Sequence, residues 1–313
     1  QQQQQQQDYQ QDYYQPPPNE RNSDTPSVHS NVSSLSAPSV QIENDQPIQQ
    51  FPSTSNTSTD DLQQHSTELM LLWRNYGGRL FGVCTTWFLW DIAFYGNKLF
   101  QSSFLLALTG ENTTLLEMSG AATLNAFVAL LGYYSAAFLM DEVGRVRLQQ
   151  YGFLATGILF CGCGLFYDKL PTNWLVAMYF ASSFFGQCGP NATTFVIPAE
   201  IFPTEMRTMC HGIAAASGKA GALLAAIVFS RVETTTNLFL WSGYASFTAA
   251  VITFCTIPET TDLNLYETDR RWRMILEGKK ADYVGEATMP KYLSFYEQQQ
   301  MTSSSCHALC HNV

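Results

Sequence analysis

The stretch HGIAAASGKAGALLAAIVFS, residues 211–230, decides the fold, because it has the length and apolarity of a bilayer-crossing helix. Lys219 lies in its middle, where a cation is costly unless it faces a polar cavity or a partner. The many glycine and alanine residues around it allow a second helix to approach closely. The stretch therefore predicts a transmembrane helix that packs against a neighbour and carries a functional cation.

Two other polar residues, Asp91 and Asn191, lie inside different apolar segments. At 1.5 Å per residue, counted from the expected cytoplasmic ends, Asn191, Lys219 and Asp91 lie about 12, 14 and 18 Å deep. The middle of a hydrocarbon core is about 15 Å from either face. An acid, a cation and an amide at one depth predict a polar cavity between helices, which is how a transporter of a charged solute is built.

Six apolar segments are long enough to cross a membrane. We expect them over residues 79–107, 119–140, 148–167, 174–198, 211–230 and 237–257. The fourth contains two glycines and two prolines, which predict a kink. The fold class expected is an all-α membrane protein, with a six-helix bundle over residues 76–260.

The ends of the chain differ in composition from this bundle. Residues 1–75 are mostly rich in Gln, Ser, Asn and Thr and begin with seven glutamines, so we expect a disordered cytoplasmic linker. Residues 261–313 are expected to form a cytoplasmic tail. The net charge of −10 leaves no basic footprint for nucleic acid. Most of the eight cysteines fall in apolar segments, where they act as small hydrophobes rather than as a disulfide framework.

The loops on one side of the predicted spans hold most of the arginines. These are Arg74, Arg79, Arg145, Arg147, Arg207, Arg270, Arg271 and Arg273. The opposite side offers Lys169 and Arg231, with Lys98 at the boundary. By the positive-inside rule the arginine-rich side is cytoplasmic, which puts both ends of this chain in the cytoplasm. We expect a multi-pass protein of the plasma membrane.

Trp87, Asp91 and Tyr95 recur every four residues and so share one helix face. With Lys219 and Asn191, this face supplies four kinds of hydrogen-bond donor around one carboxyl. Such a set suits an oxyanion that carries its own proton, and dihydrogen phosphate is one. A desolvated Asp91 favours its protonated form and is a candidate proton carrier, an effect that a nearby Lys219 would oppose.

Each of these residues also has a purely structural interpretation. Asp91 and Lys219 can form an ion pair that only holds two helices together. Trp87 and Tyr95 can be packing aromatics, and Asn191 can cap backbone that Pro190 frees. The common depth of the polar groups favours function over these alternatives.

Several motifs resemble the major facilitator superfamily. Residues 141–145, DEVGR, resemble its D-x-x-G-R loop, in which the acid and the arginine pair across helix ends. Residues 198–207 resemble its acidic loop after the fourth helix of a half, and residues 258–260, PET, resemble the ending of sugar-porter-like chains. The resemblance implies a conformational loop motif formed by Asp141, Gly144, Arg145, Glu200 and Arg207.

Longer matches resemble the plant and fungal phosphate:proton symporters. They are residues 87–95, WFLWDIAFY, residues 189–195, GPNATTF, and residues 210–221. This resemblance implies that Trp87, Asp91, Tyr95, Asn191 and Lys219 contact inorganic phosphate and that Asp91 handles the coupled proton. It implies no cofactor and no enzymatic activity.

The resemblance covers about residues 79–265 and corresponds to the second six of the twelve helices of that family. We therefore expect an N-terminal six-helix half as the partner of this chain, within a lipid bilayer. Lys98 is a departure from the family pattern, and it either pairs outside the bilayer or draws anions toward the site.

Two alternative functions stay open at this stage. One is the transport of another solute, such as a sugar or a carboxylate, on the same fold. The other is a half-length sensor or assembly subunit that does not transport. The Cys/His cluster at residues 306–311 is compatible with metal binding or palmitoylation, although short tails give such patterns by chance. The N-x-T sequon at Asn112 allows glycosylation.

Overall fold

The computed structural model describes residues 59–310, apart from residues 100, 103–104, 106–113 and 233, and without the side chains of residues 59–62 and 304–310. The N-terminal segment up to residue 58, the sequon at Asn112 and the side chains of the Cys/His cluster lie outside this part, so those expectations stay predictions. Every regular element in the described part is helical, which confirms the all-α prediction.

Helix α1, Thr59–Leu99, begins well before the expected domain boundary at residue 75 and runs for 41 residues. Its N-terminal part is helical because distant residues cover its apolar side. Leu72 and Tyr76 are buried in one cluster with Trp272 and Ile275, which are about 200 residues away in sequence. Local composition could not reveal this contact, so the sequence placed the end of the linker too late.

Six further helices complete the bundle. They are α2 (Leu115–Val143), α3 (Arg145–Leu165), α4 (Thr172–Cys188), α5 (Pro190–Ile201), α6 (Thr204–Phe229) and α7 (Thr235–Thr256). The predicted fourth segment is two helices, because Pro190 starts a new helix directly after Gly189. The sequence predicted a kink in one helix, whereas the structure has a helix boundary at Gly189 and Pro190 that divides the segment.

Three of these helices, α2, α6 and α7, are long and apolar enough to cross a membrane. The other three predicted spans correspond to α1, α3 and the α4–α5 pair, which carry charged residues or a break. The number and limits of the membrane crossings therefore stay predictions.

Helix α1 packs mainly on α6 and α7. Helix α3 packs on α7 and α4, and α2 packs on α4. Polar contacts cross these apolar interfaces: Gln149 donates to Thr253 at 3.0 Å, and Asn97 donates to Ser242 at 3.0 Å. Buried hydrogen bonds of this kind fix the register of neighbouring helices.

Helices α1 and α6 approach each other closely at two glycines. The Cβ of any residue at position 218 would lie 2.5 Å from the Trp87 ring, and a Cβ at position 221 would overlap the Phe88 carbonyl oxygen. Both positions are therefore restricted to glycine by space rather than by backbone angle. The small-residue stretch predicted from the sequence is the surface on which α1 packs.

The residues after α7 form a folded segment rather than an extended tail. It contains α8 (Leu265–Leu276), three short 3-10 turns and α9 (Phe295–Cys310). The Arg79 side chain, 4% exposed, donates to both carboxylate oxygens of Glu297 at 2.8 and 3.0 Å and to the Tyr292 carbonyl at 3.1 Å. Trp272 donates its indole N–H to Glu205 at 2.9 Å. The segment is thus anchored to α1 and α6.

Gly221→Ala should destabilise the purified chain by about 1–3 kcal/mol, because the added methyl group must displace the α1 backbone. Gly212→Ala is the matched control in the same helix, since nothing lies within 4 Å of the Cβ it would add. That control should be neutral or stabilising by up to about 1 kcal/mol. Thermal unfolding in detergent measures both; equal effects would contradict the close α1–α6 contact.

The Arg79–Glu297 pair should make the C-terminal segment sensitive to acid. Burial raises the pKa of Glu297, but the Arg79 guanidinium and the Ser294 backbone N–H together hold it below the ordinary value. A lowered pKa contributes stability that is complete above the unfolded-state value, about 4.3, and is lost as pH falls through the folded-state pKa. Hydrogen exchange of residues 290–300 should therefore accelerate at pH values below about 4.3.

Glu297→Gln should accelerate exchange in this segment at neutral pH and remove most of its acid sensitivity, because Arg79 loses its charged partner. Glu277→Gln is the control, since the Glu277–Lys279 pair is solvent-exposed and contributes little. Acid sensitivity that is unchanged in Glu297→Gln would show that the Arg79–Glu297 pair is not its cause.

Candidate functional site

Asp91 of α1, Tyr95 of α1 and Lys219 of α6 form one cluster. The Lys219 ammonium donates to the Asp91 carboxylate at 3.3 Å and to the Tyr95 hydroxyl at 3.0 Å. It also lies 4.7 Å from the centre of the Tyr95 ring. The structure thus brings together three of the five predicted binding residues.

Burial differs sharply within this cluster. Asp91 is 2% exposed, whereas the Lys219 side chain is 62% exposed. The carboxylate therefore lies beneath the ammonium, and the ammonium faces outward from the described bundle. Because an ammonium has three N–H donors and only two are used here, one remains for a ligand. The Tyr95 hydroxyl accepts from Lys219, so its own O–H is also available.

Trp87 lies one turn before Asp91 and is buried. Its ring packs against Gly218 and makes edge contacts with Phe195 and His211, with ring centres 6.2 and 5.7 Å apart. The indole N–H has no hydrogen bond to any residue in the described ranges. Trp87 therefore combines a packing role with an unused donor beside Lys219.

Asn191 makes its contacts elsewhere. Its amide oxygen accepts from the Trp90 indole N–H at 2.9 Å, and its amide nitrogen donates to the Tyr133 hydroxyl. The structure places no direct contact between Asn191 and the Asp91–Lys219 pair. Tyr133 of α2 therefore contacts Asn191 rather than the Asp91–Lys219 pair.

Sequence reasoning missed Trp90 and Tyr133. Trp90 directly precedes Asp91, but a neighbouring residue points to a different side of a helix, so it did not fit the stripe of Trp87, Asp91 and Tyr95. Tyr133 gave a weaker signal: its phenol lies in the middle of an apolar segment rather than at an interface, where membrane tyrosines are enriched.

A second cluster lies at the junction of α2 and α3. The Arg145 guanidinium pairs with Asp141 at 2.8 Å and with Glu200 at 3.2 Å. Glu200 also accepts from the Thr260 hydroxyl at 2.6 Å. Gly144 between the two helices has a φ of 103°, a value that L side chains rarely adopt. Four of the five loop-motif residues therefore meet here.

Two residues in this region differ from the expected arrangement. Arg207 does not join the cluster; its Nε donates to the Phe202 carbonyl at 3.3 Å, and one buried nitrogen has no partner among the described residues. Glu259, which was not singled out, accepts from the backbone N–H groups of Val146 and Arg147 at 3.3 Å each. It places a carboxylate at the positive N-terminus of α3, which stabilises that helix end.

The chemical capability of the Asp91 cluster follows from these contacts. It offers an ammonium, a phenol and an indole as donors, together with one carboxylate that can accept or hold a proton. In an apolar helix bundle, this set can bind an oxyanion and exchange a proton with it or with solvent. The residues described here include no group of His, Cys, Asp and Glu that could hold a metal ion.

Comparison with known proteins gives a matching family, three relatives and a similar solved structure. The sequence model of the family described as "Sugar (and other) transporter" matches residues 43–272. The chain is 36% identical over 211 residues to inorganic phosphate transporter 1-11 of Oryza sativa, covering 62% of this chain and 38% of that protein. It is 39% identical over 156 residues to inorganic phosphate transporter PHO84 of Saccharomyces cerevisiae, covering 48% of this chain and 27% of that protein.

A third relative is probable inorganic phosphate transporter 1-6 of Arabidopsis thaliana, which is 35% identical over 237 residues, covering 68% of this chain and 44% of that protein. The chain thus spans less than half the length of these curated relatives. The fold is similar to the inward-open xylose transporter XylE from E. coli, with a TM-score of 0.53, 19% identity, and coverage of 70% of this chain and 48% of that one. At that identity the likeness concerns the fold alone.

Lys219→Gln should lower the stability of the chain, because it leaves the buried Asp91 carboxylate without its cation. We expect a loss of about 1–2 kcal/mol, less than for a fully buried pair because the ammonium is largely exposed. Adding Asp91→Asn to it should recover part of the loss. Thermal unfolding in detergent measures both, with Lys279→Gln as the exposed control. If the stability losses of the two substitutions simply add in the double variant, this would contradict the coupling between Asp91 and Lys219.

Proposed function

Because the chain belongs to the sugar (and other) transporter family of the major facilitator superfamily, we propose that it supplies one half of a proton-coupled inorganic phosphate transporter. The observation that carries this proposal is the Asp91–Lys219–Tyr95 cluster, in which a buried acid lies under a cation with a spare donor. The identity of the chain to plant and yeast phosphate transporters supports phosphate as the substrate.

In this proposal, phosphate binds as the monoanion against the outward face of Lys219. The ammonium neutralises its charge, and the Tyr95 hydroxyl and the Trp87 indole N–H donate to its oxygens. Asn191 is hydrogen-bonded to Trp90 and Tyr133, so in this proposal it contributes after one of these contacts is exchanged. Transport of this kind makes and breaks no covalent bond in the substrate, so the protein is not an enzyme.

Proton coupling follows from the charge of the site. The empty site holds one carboxylate and one ammonium and is neutral overall. Adding a phosphate monoanion alone would leave a net negative charge in an apolar bundle, which is costly. If Asp91 takes up one proton with each phosphate, the loaded site is neutral again. Protonation also releases Lys219 from its ion pair, so that the ammonium can serve phosphate instead.

Alternating access requires a second surface opposite this site. Lys219 is exposed, and so are Tyr133 (44%) and Phe195 (59%), on helices α2, α5 and α6. We propose that an N-terminal six-helix half covers this surface within a lipid bilayer, and that the two halves rock about the site. The Arg145 cluster is proposed to stabilise one of the two conformations between which the halves move. The arginine-rich side is assigned to the cytoplasm and the membrane to the plasma membrane.

The test is binding of labelled inorganic phosphate to the purified chain in detergent, with proton uptake measured by calorimetry in buffers of different ionisation enthalpy. The wild type should take up about one proton per phosphate bound at this site. Lys219→Gln should weaken that binding roughly tenfold or more, the effect of one lost charge-assisted contact. Asp91→Asn should keep phosphate binding but lose the proton uptake.

Lys169→Gln is the matched control, since Lys169 is an exposed loop lysine far in sequence from the cluster. Phosphate binding with proton uptake that persists unchanged in Lys219→Gln, or displacement of phosphate by xylose, would favour another solute. A chain that binds no phosphate in any form would favour the sensor or assembly subunit. Either result would overturn the proposal.

A further inference from the structure

A cavity of about 290 Å³, its open mouth included, lies beyond the Asp91 cluster along α1. Asn97 and Lys98 line it and follow Asp91 by six and seven residues, which is about 9–10 Å along the helix axis. Trp90 lines it as well and donates its indole N–H to Asn191. The cavity and the candidate site therefore share the Trp90 side chain as a wall, while Asp91, Tyr95 and Lys219 do not line the cavity.

Two buried amides place unused acceptors at this cavity. Asn97 is 4% exposed; its nitrogen donates to the Ala93 carbonyl at 2.6 Å and to Ser242, but its oxygen accepts from no described residue. Gln187 is 3% exposed, and its side-chain oxygen likewise has no donor among the described residues. A buried carbonyl oxygen without a donor is destabilising, so both oxygens favour a ligand that donates a hydrogen bond.

Lys98 adds the opposite requirement. Its side chain is half-buried at the cavity, and no described residue forms an ion pair or a hydrogen bond with it. A partly desolvated ammonium is better stabilised by an anion than by water, because water does not neutralise its charge. An anion without protons, such as sulfate, satisfies Lys98 but repels the two amide oxygens. Water satisfies the amides but leaves the charge unmatched.

We infer that this cavity is a second binding station for the proposed substrate, and that it holds dihydrogen phosphate between Lys98 and the two amide oxygens. The monoanion meets both requirements at once: its charged oxygens accept from the Lys98 ammonium, and its two hydroxyl groups donate to Asn97 and Gln187. The inference rests on the proposed function, which supplies phosphate as the ligand.

Because Trp90 lies between the cavity and the Lys219 site, phosphate would occupy the two stations in a fixed order. Phosphate leaving the cavity toward Lys219 passes Trp90, whose bond to Asn191 would have to open. The hydroxyl-bearing form is selected before it reaches Asp91, the group that handles the proton. The cavity would therefore contribute to the discrimination of phosphate from sulfate, which a site built only of cationic and neutral donors does not achieve.

Equilibrium binding of labelled phosphate to the purified full chain tests the inference. We expect two phosphates per wild-type chain. Lys98→Met should remove one and Lys219→Gln the other, while Lys98→Arg and the exposed control Lys169→Met should keep both. Gln187→Met, which replaces the acceptor at similar volume, should weaken phosphate at the cavity roughly tenfold and reduce its preference over sulfate. Loss of hydroxyl groups should also weaken this station as pH rises through the second ionisation of phosphate.

The outcomes separate this inference from the proposed function. One phosphate per chain, lost with Lys219→Gln and unaffected by Lys98→Met, overturns the second station and leaves the central site intact. One phosphate per chain that is lost only with Lys98→Met overturns the central site instead. If phosphate binds at neither site, the proposed function and the second station are both overturned. If the preference for phosphate over sulfate were the same in the wild type and in Gln187→Met, this would refute the role of the amide oxygens.

Discussion

The constraint on which this structure depends is that a carboxylate and an ammonium in an apolar bundle must stay together. Asp91 belongs to α1 and Lys219 to α6, so their pairing requires these helices to be close at one depth. Gly218 and Gly221 make that approach possible, because larger residues would meet Trp87 and the α1 backbone. The glycines bring the charges within reach, and the charges in turn hold the helices in register. A change in the glycines or in the charged residues therefore affects both the helix packing and the candidate site.

One end of the bundle is held by a different kind of contact. Arg145 links the ends of α2 and α5, and Glu259 caps α3, so three helix ends share one charged network. The C-terminal segment adds the Arg79–Glu297 pair on α1. These contacts stiffen one end while the face around Lys219 stays open. This asymmetry is compatible with the proposed movement of the bundle as a rigid body against a second half.

The sequence allowed the fold to be predicted because charges and prolines are conspicuous in apolar segments. Lys219 and Asp91 were recognised in this way, and the structure pairs them. Trp90 and Tyr133 were missed because aromatic residues are common in such segments and give no sign of which one bonds a polar partner. The helical start of α1 was missed because its apolar side is covered by Trp272, a contact between distant residues that no local pattern reports.

Asn191 shows why the geometry of a site cannot be read from depth alone. Its depth agrees with that of Lys219, yet both its amide groups are already used, by Trp90 and by Tyr133. A ligand that binds Asn191 must displace one of these contacts and offset the lost hydrogen bond, whereas Lys219 and Tyr95 have donors to spare. In the proposed function, Lys219 and Tyr95 would therefore make the first contacts with phosphate. Because Trp90 also lines the cavity near Lys98, exchange at Asn191 would connect occupancy of that cavity to the arrangement of the central donors.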